Sequence, residues 1–210
     1  GFEFYGMREY VHGDDPRRIV WRAVAAHDKY LVRESEQGIT DRVGIVLDTG
    51  RKYHSPGPVS ETFEAGVATV ASLARKHLRD GLAVTLSTND GQLGDEFRGR
   101  HKIVPLLDRL AELEMGSEDL APALERRLAR PTRHTHNVVI TPHLSNEVAR
   151  RLRVMIDQGA HLLLALVLWE DTDPATIHRA GLLKCQVVEI QPRLALARAF
   201  RNVVNVAVGA

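Results

Sequence analysis

Apolar and polar positions along the chain fall into two rhythms that alternate from Val43 onward. Short apolar runs have strand length. The segments between them repeat apolar residues every three or four positions, as a helix with one buried face does. Val43 to Asp48 is a run suited to a strand covered on both faces. Ser60 can cap the helix that follows, in which Phe63, Val67, Val70, Ala74 and Leu78 share a face, and Gly81 ends it. Ala83 to Ser87 is the second strand, and the turn signal Asn89-Asp90-Gly91 introduces a short antiparallel edge strand. Ile103, Leu106, Leu107, Leu110 and Leu113 mark a helix. Ser117 starts another, with Glu118 and Asp119 in its first turn. Val138 to Thr141 is a strand, a helix opened by Ser145 buries Val148, Leu152, Met155 and Ile156, and Leu162 to Trp169 is a further strand. Asp173-Pro174 starts a short helix closed by Gly181, Val187 to Ile190 is the last strand, and Pro192 begins the last helix.

Strands alternating with helices in this way predict an α/β fold, a doubly wound and mainly parallel sheet with helices on both faces. The segment before Val43 has a different character. Gly13-Asp14-Asp15-Pro16 is a turn whose Asp15 can cap a short helix carrying Ile19, Val20, Ala23 and Val24, and Tyr30 to Glu34 reads as extended. The expected organisation is an N-terminal extension over residues 1–40, packed on a core domain over residues 41–210.

Composition narrows the function classes. The chain has 210 residues, with 28 Lys plus Arg against 27 Asp plus Glu, a net charge of +1. That balance gives no reason to expect nucleic acid or an anionic membrane as the partner. The basic stretches Arg126, Arg127, Arg130, Arg133 and Arg150, Arg151, Arg153 then read as solvated helix faces. The single cysteine, Cys185, excludes an intramolecular disulfide and sits in an apolar stretch that favours an inert thiol. No apolar run reaches bilayer-spanning length. The chain opens on Gly1-Phe2 with neither a starting Met nor a signal peptide, which predicts a fragment of a longer protein.

In doubly wound sheets, ligands gather at the carboxyl ends of the strands near the switch in strand order. Asp48 ends the first core strand there, where it can face a crevice or merely cap a loop. Competing chemistry finds little support. Gly91 and Gly94 lack the strand and helix of a dinucleotide fingerprint, and no phosphate-binding loop or nucleophile elbow is present. His134, His136 and His143 lack partners at zinc-ligand spacing and read as surface or turn residues. Asp14 and Asp15 read as turn and cap rather than as a catalytic carboxylate pair.

An Asp ending the first strand of such a fold resembles the von Willebrand factor A domain, whose metal-ion-dependent adhesion site begins Asp-x-Ser-x-Ser. Upstream, Arg8-Glu9-Tyr10, Gly13-Asp14-Asp15-Pro16-Arg17-Arg18-Ile19, Trp21-Arg22-Ala23 and Leu31-Val32-Arg33-Glu34 resemble the signature of the bacterial domain-of-unknown-function-58 family, in which it precedes a von Willebrand A-like domain. The resemblance implies a three-layer sandwich of that type and a non-catalytic, protein-binding adaptor. Its implied partner is a MoxR-type AAA+ ATPase, because family genes tend to accompany such ATPases. It also implies a cytoplasmic location, or the cytoplasmic face of the membrane where the full-length chain is anchored.

The adhesion motif itself is altered. Asp48 is kept, but the serine positions hold Gly50 and Lys52, Ser117 corresponds to the second-loop Thr, and Thr141-Pro142-His143 stands where a further Asp is expected. Arg51 and Lys52 beside Asp48 would repel a cation and are expected to pair with Asp48 instead. A degenerate site without metal or other cofactor follows, with Asp48, Arg51, Lys52, His54, Ser117 and His143 as candidates for contact with a partner. The alternatives are an enzyme of the doubly wound class, hydrolytic or nucleotide-dependent, and a purely structural domain. The Arg8-to-Trp21 cluster either pins the extension through Arg–carboxylate pairs or forms a partner surface.

Overall fold

The structure, a computed structural model, describes residues 6–9, 31–34, 42–91, 94, 96–128 and 135–192. Two compact units divide at Ile39–Thr40. In the first, β1 (Gly6–Glu9) pairs antiparallel with β2 (Leu31–Glu34), with Arg8 opposite Val32 and Glu9 opposite Leu31. The signature residues Arg8, Glu9, Arg33 and Glu34 therefore share one two-stranded ribbon. The extended reading of residues 31–34 holds, β1 was not anticipated, and the helix expected after Pro16 lies outside the described residues.

The second unit holds a six-stranded sheet in the order β5-β4-β3-β6-β7-β8. Its strands are β3 (Arg42–Leu47), β4 (Ala83–Thr88), β5 (Glu96–Arg98), β6 (Thr135–Thr141), β7 (His161–Val167) and β8 (Gln186–Ile190). β5 runs antiparallel to β4 as the edge strand expected after Asn89-Asp90-Gly91, and the other neighbours are parallel. The helices are α1 (Glu61–Arg79), α2 (Ile103–Ala111), α3 (Leu120–Leu128), α4 (Asn146–Asp157) and α5 (Pro174–Gly181). Ser60, Ser145 and Asp173 cap α1, α4 and α5 through their side chains, as their positions predict. The helix expected from Pro192 falls outside the described residues.

Side-chain alternation along the strands divides the interior into two layers. Val43, Ile45 and Leu47 of β3 face Phe63, Val70, Ala74 and Leu78 of α1 and Leu106 and Leu110 of α2. Val46, Val139, Leu164 and Leu166 face Leu120 and Leu124 of α3 and Val148, Leu152 and Met155 of α4. This covered sheet is the three-layer sandwich predicted. Because β3 and β6 are neighbours, with β4 to one side and β7 to the other, the strand order switches between β3 and β6.

One row on the second face is polar. Gly44 of β3 lies in register with Thr85 of β4 and Asn137 of β6. Across this row runs Arg127 of α3, whose guanidinium donates to Asn137 Oδ1 at 3.2 Å and to Thr85 Oγ1 at 3.3 Å. A Cβ at position 44 would overlap that guanidinium, so the glycine is what admits the arginine. Arg127 is thus an internal tie and not part of a solvated face. Its neighbour Arg126 donates to the Asn89 carbonyl at 2.6 Å, and Arg151 bonds Glu147 and Glu125. Cys185 is half-buried, and burial pushes its thiol up, in keeping with an inert role.

Histidines gather at the opposite, amino-terminal end of the strands. His136 and His161 are register partners on β6 and β7 and stack with centroids 5.2 Å apart. His77, in the last turn of α1, is pushed from 6.5 to about 4, first by burial and then by the Lys76 charge. Between those values the unfolded chain binds a proton that the folded chain refuses. The contribution to stability is therefore full above pH 6.5 and is lost as pH falls toward about 4. The expected result is a urea midpoint that drops across this window, with a smaller drop in His77→Gln. Equal drops would show that His77 titrates alike in both states.

Candidate functional site

β3 is buried along most of its length and ends at Leu47, which delivers Asp48 to the crevice where the strand order switches. The residue is 2% exposed. Its Oδ1 accepts from the Gly50 N–H at 3.0 Å and from the Asn89 side-chain amide at 2.7 Å, and Oδ2 lies 2.7 Å from the Thr141 hydroxyl. Gly50 follows β3, Asn89 follows β4 and Thr141 ends β6, so one carboxylate ties the ends of three adjacent strands.

A fourth segment joins through Asn89. The same amide nitrogen donates to the Glu118 carbonyl at 2.8 Å. With both neighbours acceptors, the NH2 group must face them. Gly116 bridges to Gly50: the Arg51 N–H donates to the Gly116 carbonyl and the Gly116 N–H to the Thr49 carbonyl, each at 2.9 Å. Residues 116–118 are therefore committed to this bridge. That is why α3 begins at Leu120 and not at Ser117. A Cβ on Gly50 would meet the Glu118 carbonyl at 3.0 Å, the Asn89 amide at 3.1 Å and Asp48 Oδ1 at 3.2 Å. A side chain at the first serine position would thus press on the Asn89 amide and on the Glu118 carbonyl it holds.

His54 braces the loop from within. It is 6% exposed, accepts at Nδ1 from the Thr62 hydroxyl at 3.0 Å and donates from Nε2 to the Asp48 carbonyl at 2.9 Å. The carbonyl can only accept, which fixes the Nε2–H tautomer, and burial holds the ring's pKa below its ordinary value. The expectation of His54 on the outer face is corrected: burial and two satisfied ring nitrogens make it a structural brace.

Arg51, Lys52 and Ser117 are exposed on the rim. The expected pairing of Arg51 or Lys52 with Asp48 is corrected too. Arg51 donates to the Met115 carbonyl at 3.2 Å, and the Lys52 ammonium lies 5.0 Å from the centre of the Tyr53 ring. Asp48 already has donors from the main chain, an amide and a hydroxyl. Tyr53 also stacks on His143, with ring centroids 4.1 Å apart and planes 8° from parallel. His143 is partly buried and bonds Thr176 Oγ1 through Nδ1 at 3.3 Å; burial is the main cause of its lowered pKa.

Of the residues singled out from sequence, the fold therefore brings Asp48, Gly50, Lys52, Ser117 and His143 to one end of the sheet. Two members of the knot, Asn89 and Thr141, were not foreseen. Beside the knot opens a cleft of about 590 Å³ between the 55–61 loop and the ends of β7 and β8. Trp169 and Val59, the latter 65% exposed, line it. It had no sequence signal beyond an aromatic residue at a strand end. Among the described residues, the Asp90 carboxylate lies close by on the Gly116 side of the bridged loop and accepts from the Thr88 hydroxyl at 2.9 Å.

Sheet order, helix layers and a carboxylate at the switch point define a von Willebrand factor A-like domain. The VWA domain of SpRpn10 is similar, with a TM-score of 0.52 and 16% identity over 80% of this chain and 95% of that one. So is proximal thread matrix protein 1 from the mussel byssus, with a TM-score of 0.55 and 10% identity over 79% of this chain and 45% of that one. At such identities the likeness concerns the fold. The chain belongs to the family described as "Protein of unknown function DUF58", whose model matches residues 6–203 and so spans the signature ribbon as well as the sheet. No curated protein matches it.

Proposed function

We propose that this domain is a non-catalytic adaptor that binds a protein through the carboxyl end of its sheet, with a MoxR-type AAA+ ATPase as partner. The observation that carries the reading is the Asp48 knot. It fixes the ends of β3, β4 and β6 and the 116–118 loop as one rim, on which Arg51, Lys52 and Ser117 are exposed. A preorganised rim of this kind lowers the ordering cost of association. Membership of a family with a von Willebrand A-like fold supports a protein partner. The choice of ATPase rests on the resemblance of the N-terminal signature. No described helix is long and apolar enough to cross a membrane. The proposed place of action is the cytoplasm, or its membrane face in an anchored full-length protein.

The proposal includes a degenerate adhesion site that works without metal. A hard divalent cation wants several oxygen ligands, usually with one or two carboxylates. Here the Asp48 Oδ1 already faces two N–H donors and its Oδ2 the Thr141 hydroxyl, and Arg51 and Lys52 add positive charge beside it. The residues present do not fit such an ion.

The test is affinity capture from the native organism with the full-length protein as bait. An AAA+ ATPase is expected to co-purify. Arg51→Glu with Lys52→Glu should cut its recovery roughly tenfold, the scale of one lost charged contact. Equal recovery by wild type and the double reversal would remove the partner face from this end of the sheet.

A further inference from the structure

We infer that this rim takes an acidic segment of its partner without a metal ion, with protein groups dividing the work an adhesion-site cation would do. The inference rests on the adaptor reading above. The inward half of that work is to hold the strand-end carboxylate and join it to the neighbouring loop. The Asn89 amide does this, donating to Asp48 Oδ1 at 2.7 Å and to the Glu118 carbonyl at 2.8 Å. It stands where a serine at position 50 would project, since a Cβ there would come within 3.1 Å of the amide nitrogen. Gly50 and Asn89 thus form one linked exchange that closes the ion's place with an uncharged donor.

The outward half is to present positive charge to an incoming carboxylate. Lys52, at the second serine position, and Arg51 beside it do this. Both are exposed, and neither is within ion-pair distance of a carboxylate among the described residues. Lys52 lies against Tyr53, which the His143 stack holds in place, so the ammonium sits over a fixed platform. Arg51 is steadied by the Met115 carbonyl and keeps further N–H groups for a planar carboxylate. Two cations that have no ion-pair partner among the described residues suit the carboxylates of an acidic peptide, and that pairing requires no ion.

Two measurements test this. The first is thermal unfolding with and without millimolar Mg²⁺ or Ca²⁺. Wild type should not respond. Asn89→Asp, at about pH 8 so that both carboxylates ionise, should lose about 5 °C or more and recover it with cation, because two carboxylates and the Glu118 carbonyl then make an oxygen site. A wild-type shift with cation overturns the inference even if the variant does not fold. The second is binding of a fluorescent decaglutamate peptide to the full-length protein. Binding should persist in chelator, weaken as salt rises and fall at least tenfold in Arg51→Glu/Lys52→Glu. Binding that chelator abolishes overturns the metal-free inference. Partner capture that survives chelator while decaglutamate fails to bind overturns the acidic ligand but leaves the adaptor reading standing. Capture indifferent to the double reversal overturns the adaptor face itself.

Discussion

Asp48→Ala lowers the stability of the domain by about 3–5 kcal/mol, a large part of the 5–15 kcal/mol that a domain commonly has. The buried carboxylate accepts from the Gly50 N–H, the Asn89 amide and the Thr141 hydroxyl. Alanine leaves the Gly50 N–H and one of the two Asn89 amide hydrogens without an acceptor at a residue that is 2% exposed. It also unties the ends of β3, β4 and β6, so loops 48–60 and 116–118 should lose amide-exchange protection together. Asp48→Asn should cost far less, about 1 kcal/mol. Its carbonyl can take the Oδ1 role toward Gly50 and Asn89, and its NH2 can donate to Thr141 Oγ1. Thr141 can then give its only hydroxyl proton to the His143 carbonyl, 2.7 Å away. Urea unfolding of both variants decides the matter. Asparagine as damaging as alanine would mean that the negative charge, and not the hydrogen-bond pattern, holds the rim.

The second large effect is expected where Arg127 crosses the sheet. Gly44→Ala puts a methyl group where the guanidinium lies, so Arg127 must abandon Asn137 and Thr85. The cost is about 2–4 kcal/mol, from displaced packing and from a partly buried cation left without its bonds. In an Arg127→Ala background the same substitution should be neutral or slightly stabilising, because alanine is better than glycine in a strand interior. A double-mutant cycle should therefore return a coupling of about 2 kcal/mol or more. Additive losses would show that Gly44 is needed for some reason other than the arginine.

The two residues that carry these predictions differ in how readily sequence reveals them. Asp48 is legible because a polar residue closes an apolar run, and its place at the switch follows from the alternation of strands and helices. The core facing α1 and α4 was legible for the same reason: its spacing is local, and a period of two or of three to four is written into consecutive residues. Asn89 was not legible as more than a turn residue, nor Thr141 as more than a substitute for an expected Asp. Their roles depend on strand register, which places side chains 41 and 93 positions from Asp48 against its two oxygens. Arg127 looked like one of a basic stretch because nothing local distinguishes an arginine that faces a glycine three strands away in the chain from one that faces water. Ser117 looked like a helix cap. The bridge from Gly116 to Gly50 takes those residues out of the helix, and that pairing too is long-range.

The separation between Asp48 and Thr141 bears on the order in which the domain can come into being. β3 is synthesised before the rest of the sheet yet ends up in its interior, between β4 and β6. At roughly 5–20 residues per second, the 93 residues from Asp48 to Thr141 take about 5–20 s to appear. During that interval Ile45, Val46 and Leu47 have β4 to pair with on one side and an open strand edge on the other. The rim is thus a late product of synthesis, closed only when the last of its strands arrives. A nascent chain halted before Thr141 would expose the β3 edge that carries Ile45, Val46 and Leu47 and would lack the finished rim.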